Sequence, residues 1–246
     1  MTASFRYAFL AAVLAAVPVL AQPKGKAESE DDYYKLLRFE LPQGEVIECG
    51  ALETLPDGRV VIGTRRGEIW IVENAYDPDP AKAKFSRFAH GLHEVLGLAQ
   101  KDGWIYVTQR PDVTRIKDTN NDGKADLFEV VTDGWEINGD YHEYAFGTRF
   151  DKQGNIWITL CLTGSFNSST KFRGWAGKVT PDGKWMPTTS GVRSPGGIGF
   201  DADENVFYTD NQGPWNGACH LKHVTIGGFV GHPDSFKWYK EPEAKY

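Results

Sequence analysis

Residues 52–64 (LETLPDGRVVIGT), 96–108 (LGLAQKDGWIYVT), 146–159 (FGTRFDKQGNIWIT) and 198–209 (IGFDADENVFYT) are four versions of one pattern. In each, a short apolar stretch leads into a polar turn, then into a second stretch of alternating β-branched and aromatic residues that ends on threonine. Period-two alternation bounded by turn residues marks strands. The closing threonines at 64, 108, 159 and 209 are 44, 51 and 50 residues apart, the spacing of a four-stranded propeller blade. One blade cannot bury both of its faces, so the copies must stack around an axis. The expected fold class is all-β, a β-propeller with about four blades, near 45–90, 91–134, 139–190 and 191–240, inside a region 35–246. Loops between the strands then gather at the mouths of a central channel, where ligands bind.

Composition agrees with that class. The chain is 41% hydrophobic and 24% charged, which is soluble globular composition and excludes disorder. Eight Trp, ten Tyr and fourteen Phe beside 27 Gly suit pleated strands joined by tight turns. A net charge of −6 with no basic run excludes a nucleic-acid partner, because phosphate binding needs clustered cations. Arg6 followed by the apolar run 8–20 and then Val19, Leu20 and Ala21 before Gln22 reads as a signal peptide over 1–21. The run is too short to span a bilayer. An exported protein, periplasmic or extracellular, with a polar linker over 22–34 and no transmembrane segment after cleavage, is therefore expected. Export permits disulfides, but Cys49, Cys161 and Cys219 are odd in number and spell neither CxxC nor CxxCH.

Between blades two and three lies DTNNDGKADLFE (118–129), which matches the calcium-loop pattern D-x-[DN]-x-[DN]-G-x5-E. Asp118, Asn120 and Asp122 would point oxygens into a tight loop, and Gly123 allows the sharp turn. The Lys124 carbonyl, Asp126 and Glu129 would complete the set. The flanks read as strands, so this is expected as a Ca²⁺ loop on a β-scaffold that staples a blade. A solvated acidic turn without metal is the alternative.

Blade three opens with GDYHEYAFG (139–147) and blade four, in the same register, with SGVRSPGGIGF (190–200). Strand starts in successive blades face a common axis, so His142 and Arg193 are expected to approach one another in the channel. An imidazole beside a carboxylate such as Asp140 or Glu143 can serve as a general base. An arginine there suits an anionic, planar ligand. Glu94, at the start of blade two, and Gln109, after its second strand, complete the candidate ligand-binding set. The loop 209–215 adds amides and Trp215, which suit sugar hydroxyls and ring stacking. A structural histidine and a blade-to-blade salt bridge remain the plainer readings of His142 and Arg193.

These segments resemble the soluble quinoprotein glucose/sorbosone dehydrogenase group of propellers, and more closely the secreted "membrane-bound dehydrogenase" propellers of planctomycetes and verrucomicrobia. The likeness rests on GLHEVLGL (91–98), YVTQRP (106–111) with the 118–129 loop, YHEYAFG (141–147), GVRSPGGIGF (191–200) and YTDNQGPW (208–215). It spans about residues 35–240. For the quinoproteins it implies a pyrroloquinoline quinone (PQQ) in the channel, a histidine base matching His142, and an arginine matching Arg193 that holds the cofactor. Three positions depart from that pattern: Tyr141 replaces an aspartate, Ser194 an asparagine and Thr163 a glutamine.

Three functions follow as expectations. The first is an exported quinoprotein-type dehydrogenase that oxidises a sugar or other alcohol with PQQ and calcium and passes electrons to a separate cytochrome. The second is a non-catalytic propeller that binds a carbohydrate or a protein. The third is a calcium-dependent lactonase-type hydrolase, which the confinement of the acidic cluster to one loop disfavours. Four blades against the family's six also suggest a fragment.

Overall fold

The computed structural model describes residues 28–164, 166–213 and 216–245. The expected signal peptide, Trp215 and the first part of the linker lie outside the described residues. Residues 28–37 belong to a small unit of their own, with a single 3-10 turn over Glu30–Asp32, and the propeller occupies the second unit, from Arg38 onward. Among the described residues, no helix is long and apolar enough to cross a membrane.

Four antiparallel sheets follow one another along the chain. Blade one comprises β1 (Cys49–Thr54), β2 (Val60–Thr64), β3 (Ile69–Glu73) and β4 (Lys84–Ala89). Blade two comprises β5 (Gly97–Lys101), β6 (Trp104–Thr108), β7 (Val113–Lys117) and β8 (Leu127–Thr132). Blade three comprises β9 (Ala145–Phe150), β10 (Ile156–Leu160), β11 (Trp175–Val179) and β12 (Trp185–Ser190). Blade four has three strands, β13 (Pro195–Phe200), β14 (Val206–Asp210) and β15 (His220–Val224). β1 lies beside β5, β5 beside β9 and β9 beside β13. That stacking of first strands about an axis is the propeller arrangement.

The polar turns that define the repeat work by a shared mechanism. Asp151 accepts hydrogen bonds from the backbone of Gln153 and Asn155 and from the Asn155 amide. Asp201, fifty residues on, makes the same three bonds with Asp203 and Asn205. Such Asx turns close a hairpin without tertiary help.

Packing between sheets supplies the core. One apolar cluster sits between blades one and two around Val61, Ile69, Val95 and Leu98, and another between blades three and four around Trp157, Val192 and Tyr208. The cluster between blades two and three is richest in aromatics, with Tyr106 edge-on to Phe150 at 5.0 Å and Trp135 to Trp185 at 5.3 Å. A middle strand sandwiched between two neighbouring sheets is buried on both faces, as all five residues of β10 are. The outer strand β8 instead alternates between half-buried and exposed positions. Three of the four closing threonines, Thr64, Thr108 and Thr159, are fully buried; Thr209 is exposed, because among the described residues no sheet covers that face of blade four.

Near the axis the first strands approach so closely that a side chain has no room. A Cβ at Gly97 would stand 1.3 Å from the Gly147 carbonyl oxygen. Beside it, Thr148 is the extra residue of a bulge opposite β10, at a φ of 124°, and its hydroxyl lies 2.5 Å from that of Thr108. Outer strands bulge too: Phe88, Val131 and Thr188 each stand unmatched against the neighbouring strand of their own blade. Bulges increase local twist, which the sheets need to fan about an axis.

Residues 225–245 differ from the sequence expectation, which placed blade four over 191–240. They return to blade three, where β16 (Gly228–Phe229) pairs in parallel with β12 and a 3-10 helix (Pro233–Lys240) follows. The Trp175 indole donates to the Ser235 carbonyl, and the Trp238 indole to the Ser168 hydroxyl. Buried indole donors need partners, and these tie the segment to its neighbour.

Two substitutions test this packing. Gly97→Ala is expected to cost more than ~3 kcal/mol in urea unfolding, because a carbonyl blocks the methyl. Gly197→Ala, in the same register of blade four with open space around it, is expected to be nearly neutral. Equal costs would refute the first-strand packing. The fully buried Arg173 guanidinium donates to four main-chain carbonyls, so Arg173→Met is expected to lose at least ~3 kcal/mol and about 6–12 °C in Tm.

Candidate functional site

The first strand of each blade begins at one face of the propeller, and the sequence-predicted His142, Arg193, Glu94 and Gln109 all lie on loops at that face. Four loops converge there because strands in successive blades keep the same direction.

His142 precedes β9 in a tight turn. The Asp140 carboxylate accepts from the His142 and Gly164 backbone amides, at 2.9 and 3.0 Å. Those amide donors, the His142 amide foremost, hold Asp140 below the ordinary carboxylate range, so it is anionic near neutrality. Its oxygen lies 3.6 Å from His142 Nδ1, a buried nitrogen with no hydrogen-bond partner among the described residues. Tyr141 packs on the imidazole with ring centroids 3.7 Å apart. The carboxylate that faces the imidazole is thus Asp140, two positions before the histidine. Glu143 is excluded as that partner: it is fully buried and accepts from Asn138 N and the Thr163 hydroxyl.

Arg193 is held from its backbone. The buried Asp210 carboxylate accepts from the amides of Arg193 and Ser194 and from the Tyr208 hydroxyl, and pairs with Lys222 at 3.1 Å. The Arg193 side chain donates to the Gln212 carbonyl and lies 5.8 Å from the Phe166 ring. Gly164 binds the carboxylate beside His142, and Phe166 meets Arg193.

Glu94 is engaged by two arginines. Arg65 Nη2 donates to one carboxylate oxygen at 3.0 Å and Arg110 Nη1 to the other at 3.2 Å. Arg65 also donates to the Tyr144 hydroxyl at 3.0 Å, and both guanidiniums lie 5.5 Å from the Tyr144 ring. Arg110 further donates to the Asp140 carbonyl, which joins this group to the His142 turn. Glu94 itself holds a φ of 51°, a conformation disfavoured for a residue with a full side chain.

Two sequence expectations are corrected here. Gln109 is not available as a ligand-binding amide: its Oε1 accepts from His93 N, and its Nε2 donates to Asp112 and Thr114. It braces the loop that carries Arg110. Glu129 does not close the acidic loop, because it lies in β8 and pairs with Arg115 on the adjacent strand at 2.5 Å. Both line a cleft of about 280 Å³ between blades two and three at the opposite face. The remaining loop oxygens bind the loop's own backbone: Asp118 accepts from Asn121 and Gly123, Asn120 from Asp122, and Asp122 from Lys124. Asp126 accepts from Thr119. Among the described residues, no three His, Cys, Asp or Glu side chains converge as a metal cage, so the twelve-residue set does not fit calcium as a whole. The loop joins β7 to β8, at the far end of the strands from His142. None of the three cysteines forms a disulfide.

Arg65, Arg110, Tyr144 and Asp210 are what the sequence reading left unused. Arg65 and Asp210 directly follow closing threonines, and Arg110 is one residue further on in its blade, so the 44–51-residue period itself carried the signal.

The sequence model of a family described as a domain of unknown function, DUF7133, matches residues 49–232. A search of curated proteins gives no match. Among solved structures, an oxidoreductase (glucose dehydrogenase) from Thermus thermophilus is similar at a TM-score of 0.61 and 21% identity, over 78% of this chain and 65% of that one. The PQQ-bound aldose sugar dehydrogenase of Streptomyces coelicolor is similar at 0.55 and 16%, over 74% and 61%. The holo PQQ domain of a Coprinopsis cinerea pyranose dehydrogenase is similar at 0.54 and 12%, over 74% and 48%. This chain therefore spans less than two thirds of the length of each, and the likeness establishes the propeller fold. With the family match running from the first strand of blade one past the last strand of blade four, the chain belongs to the DUF7133 family.

Proposed function

We propose that this propeller is an exported quinoprotein-type dehydrogenase that oxidises a sugar or other alcohol, with His142 as the base. The observation that carries the reading is the placement of His142 at the loop face of the propeller with Nδ1 3.6 Å from anionic Asp140, buried and without a hydrogen-bond partner among the described residues. Two similar folds are described as PQQ-bound or as a holo PQQ domain. The residues present suit such a group: Arg193 would be the cation for its carboxylates, and the imidazole nitrogen that lacks a hydrogen-bond partner lies 3.6 Å from a carboxylate that would orient it.

With Nδ1 turned to Asp140, Nε2 is the nitrogen that takes the hydroxyl proton of the substrate. Asp140 then stabilises the imidazolium that forms, and hydrogen bonds in such pairs shorten once substrate is in place. Asp210 and Lys222 hold the Arg193 loop, and Tyr141 packs against the imidazole. Bound PQQ would supply the two-electron acceptor for the hydride, and a separate cytochrome the onward route. The lactonase reading is disfavoured because the acidic loop lies at the opposite face from His142.

Calcium enters this proposal as a staple of blade two that would require Asp118, Asn120, Asp122 and Asp126 to turn inward from the loop hydrogen bonds they make here, alongside the Lys124 carbonyl and with Glu129 left out. Carboxylates and carbonyls suit that hard cation.

His142→Ala, in protein that still binds PQQ, is expected to lower turnover about a hundredfold or more; undiminished turnover removes it from the mechanism. If wild type with PQQ and calcium gives no quinone absorbance change with aldoses, sugar acids or other alcohols, the non-catalytic binding propeller is the correct reading. Calcium a hundredfold above its dissociation constant should stabilise wild type by about 2.7 kcal/mol and leave an Asp118→Ala, Asp122→Ala variant unmoved. Equal shifts in both would refute the loop assignment.

A further inference from the structure

We propose that the Arg65, Arg110 and Tyr144 group receives a carboxylate, so that the substrate of this site is a sugar acid, uronic or aldonic, rather than a neutral sugar. The inference deepens the dehydrogenase reading, on which it rests for the chemistry at the neighbouring His142.

Three elements bring the group together. Arg65 follows the closing threonine of the second strand in blade one, Arg110 comes from the equivalent loop of blade two, and Tyr144 leads into β9 of blade three. The two guanidiniums share one anionic partner, Glu94, each through a single hydrogen bond. A guanidinium has five N–H donors in a planar fork, which one shared carboxylate does not satisfy.

Arg110 has the largest shortfall. Its side chain is only 8% exposed, and its Nε has no hydrogen-bond partner among the described residues. A buried donor left unpaired is costly, and a ligand oxygen removes the cost. Arg65 is half exposed and gives the site an open side. The Tyr144 hydroxyl accepts from Arg65, which leaves its own proton to donate; burial raises its pKa, so it keeps that proton. Donors therefore outnumber acceptors. Of the other charges nearby, Glu48 acts on Arg65 and Arg173 on Arg110, and Asp140 is held by two backbone amides on the imidazole side.

The location links the group to chemistry. Arg110 donates to the Asp140 carbonyl, two residues before His142. A carboxylate seated on the arginines places the rest of the same small molecule beside the imidazole. A neutral sugar offers only hydroxyls there, and a hydroxyl cannot engage a guanidinium fork through two charge-assisted bonds.

The test is calorimetric titration of the full chain with D-glucuronate, with its neutral isostere D-glucuronamide, and with D-glucose. Glucuronate is expected to bind at least about tenfold more tightly than the amide, about 1.4 kcal/mol, with a preference that shrinks at high salt. In Arg65→Gln, checked for an unchanged melting temperature, the preference is expected to fall below about threefold, and Arg65→Lys to restore part of it. Equal binding of acid and amide by wild type, absence of binding by all three, or an undiminished preference in folded Arg65→Gln would each overturn the proposal. Quinone absorbance separates the two readings. Glucuronate that binds without reducing PQQ leaves the subsite and removes the dehydrogenase; reduction equally fast with the amide does the reverse.

Discussion

Arg173 is the contact on which this face of the molecule depends. It is fully buried, and its donors reach the carbonyls of Arg110, Glu136, Glu143 and Tyr144. Burial pulls its guanidinium down to about 10, with the Glu143 carboxylate opposing, so it stays charged at neutral pH. Those carbonyls belong to three separate stretches: the loop after β6, the connection between blades two and three, and the turn that carries His142. One cation thus fixes the relative position of Arg110, His142 and Tyr144. Loops at a propeller mouth have little sheet structure of their own, and a buried hydrogen-bond hub replaces it.

Beneath the hub, the scaffold works by close approach. Gly97 against Gly147 lets the first strands of blades two and three meet almost backbone to backbone, and Thr108, on the second strand of blade two, meets Thr148 beside it. That contact sets the angle between the blades and brings the loops above into reach of one another. Two of the seven non-glycine residues at positive φ among the described residues, Thr148 and Glu94, belong to this part of the molecule. Residues held in disfavoured backbone regions persist only where surrounding contacts dictate them. For Glu94 those contacts are two arginines from different blades.

Much of the scaffold was legible in the chain. The spaced threonines announced the blades, and the Asp151 and Asp201 turns are closed by residues within five positions. The placement of candidate residues was legible as well: His142, Arg193 and Glu94 were singled out from their register and lie at the same face. Gln109 and Glu129 were misread, each because a local motif says which atoms are near in sequence and not which partner wins. Gln109 is taken by His93, Asp112 and Thr114. Glu129 faces Arg115 because a cross-strand ion pair in β7 and β8 competes with the loop for the same carboxylate.

What the sequence by itself determined was everything with a short range: strand, turn, period, and the presence of a histidine and arginines at strand starts. Those features follow from side-chain alternation and from hydrogen bonds that close within a few residues. What only the tertiary structure decided was which partners meet: Asp140 rather than Glu143 beside His142, Glu94 shared between Arg65 and Arg110, Arg173 beneath them, and the return of residues 225–245 to blade three. Each of these joins residues that no local periodicity relates. Their proximity depends on how tightly neighbouring sheets pack and how far they twist, and the glycines and bulges settle that only once the blades are assembled.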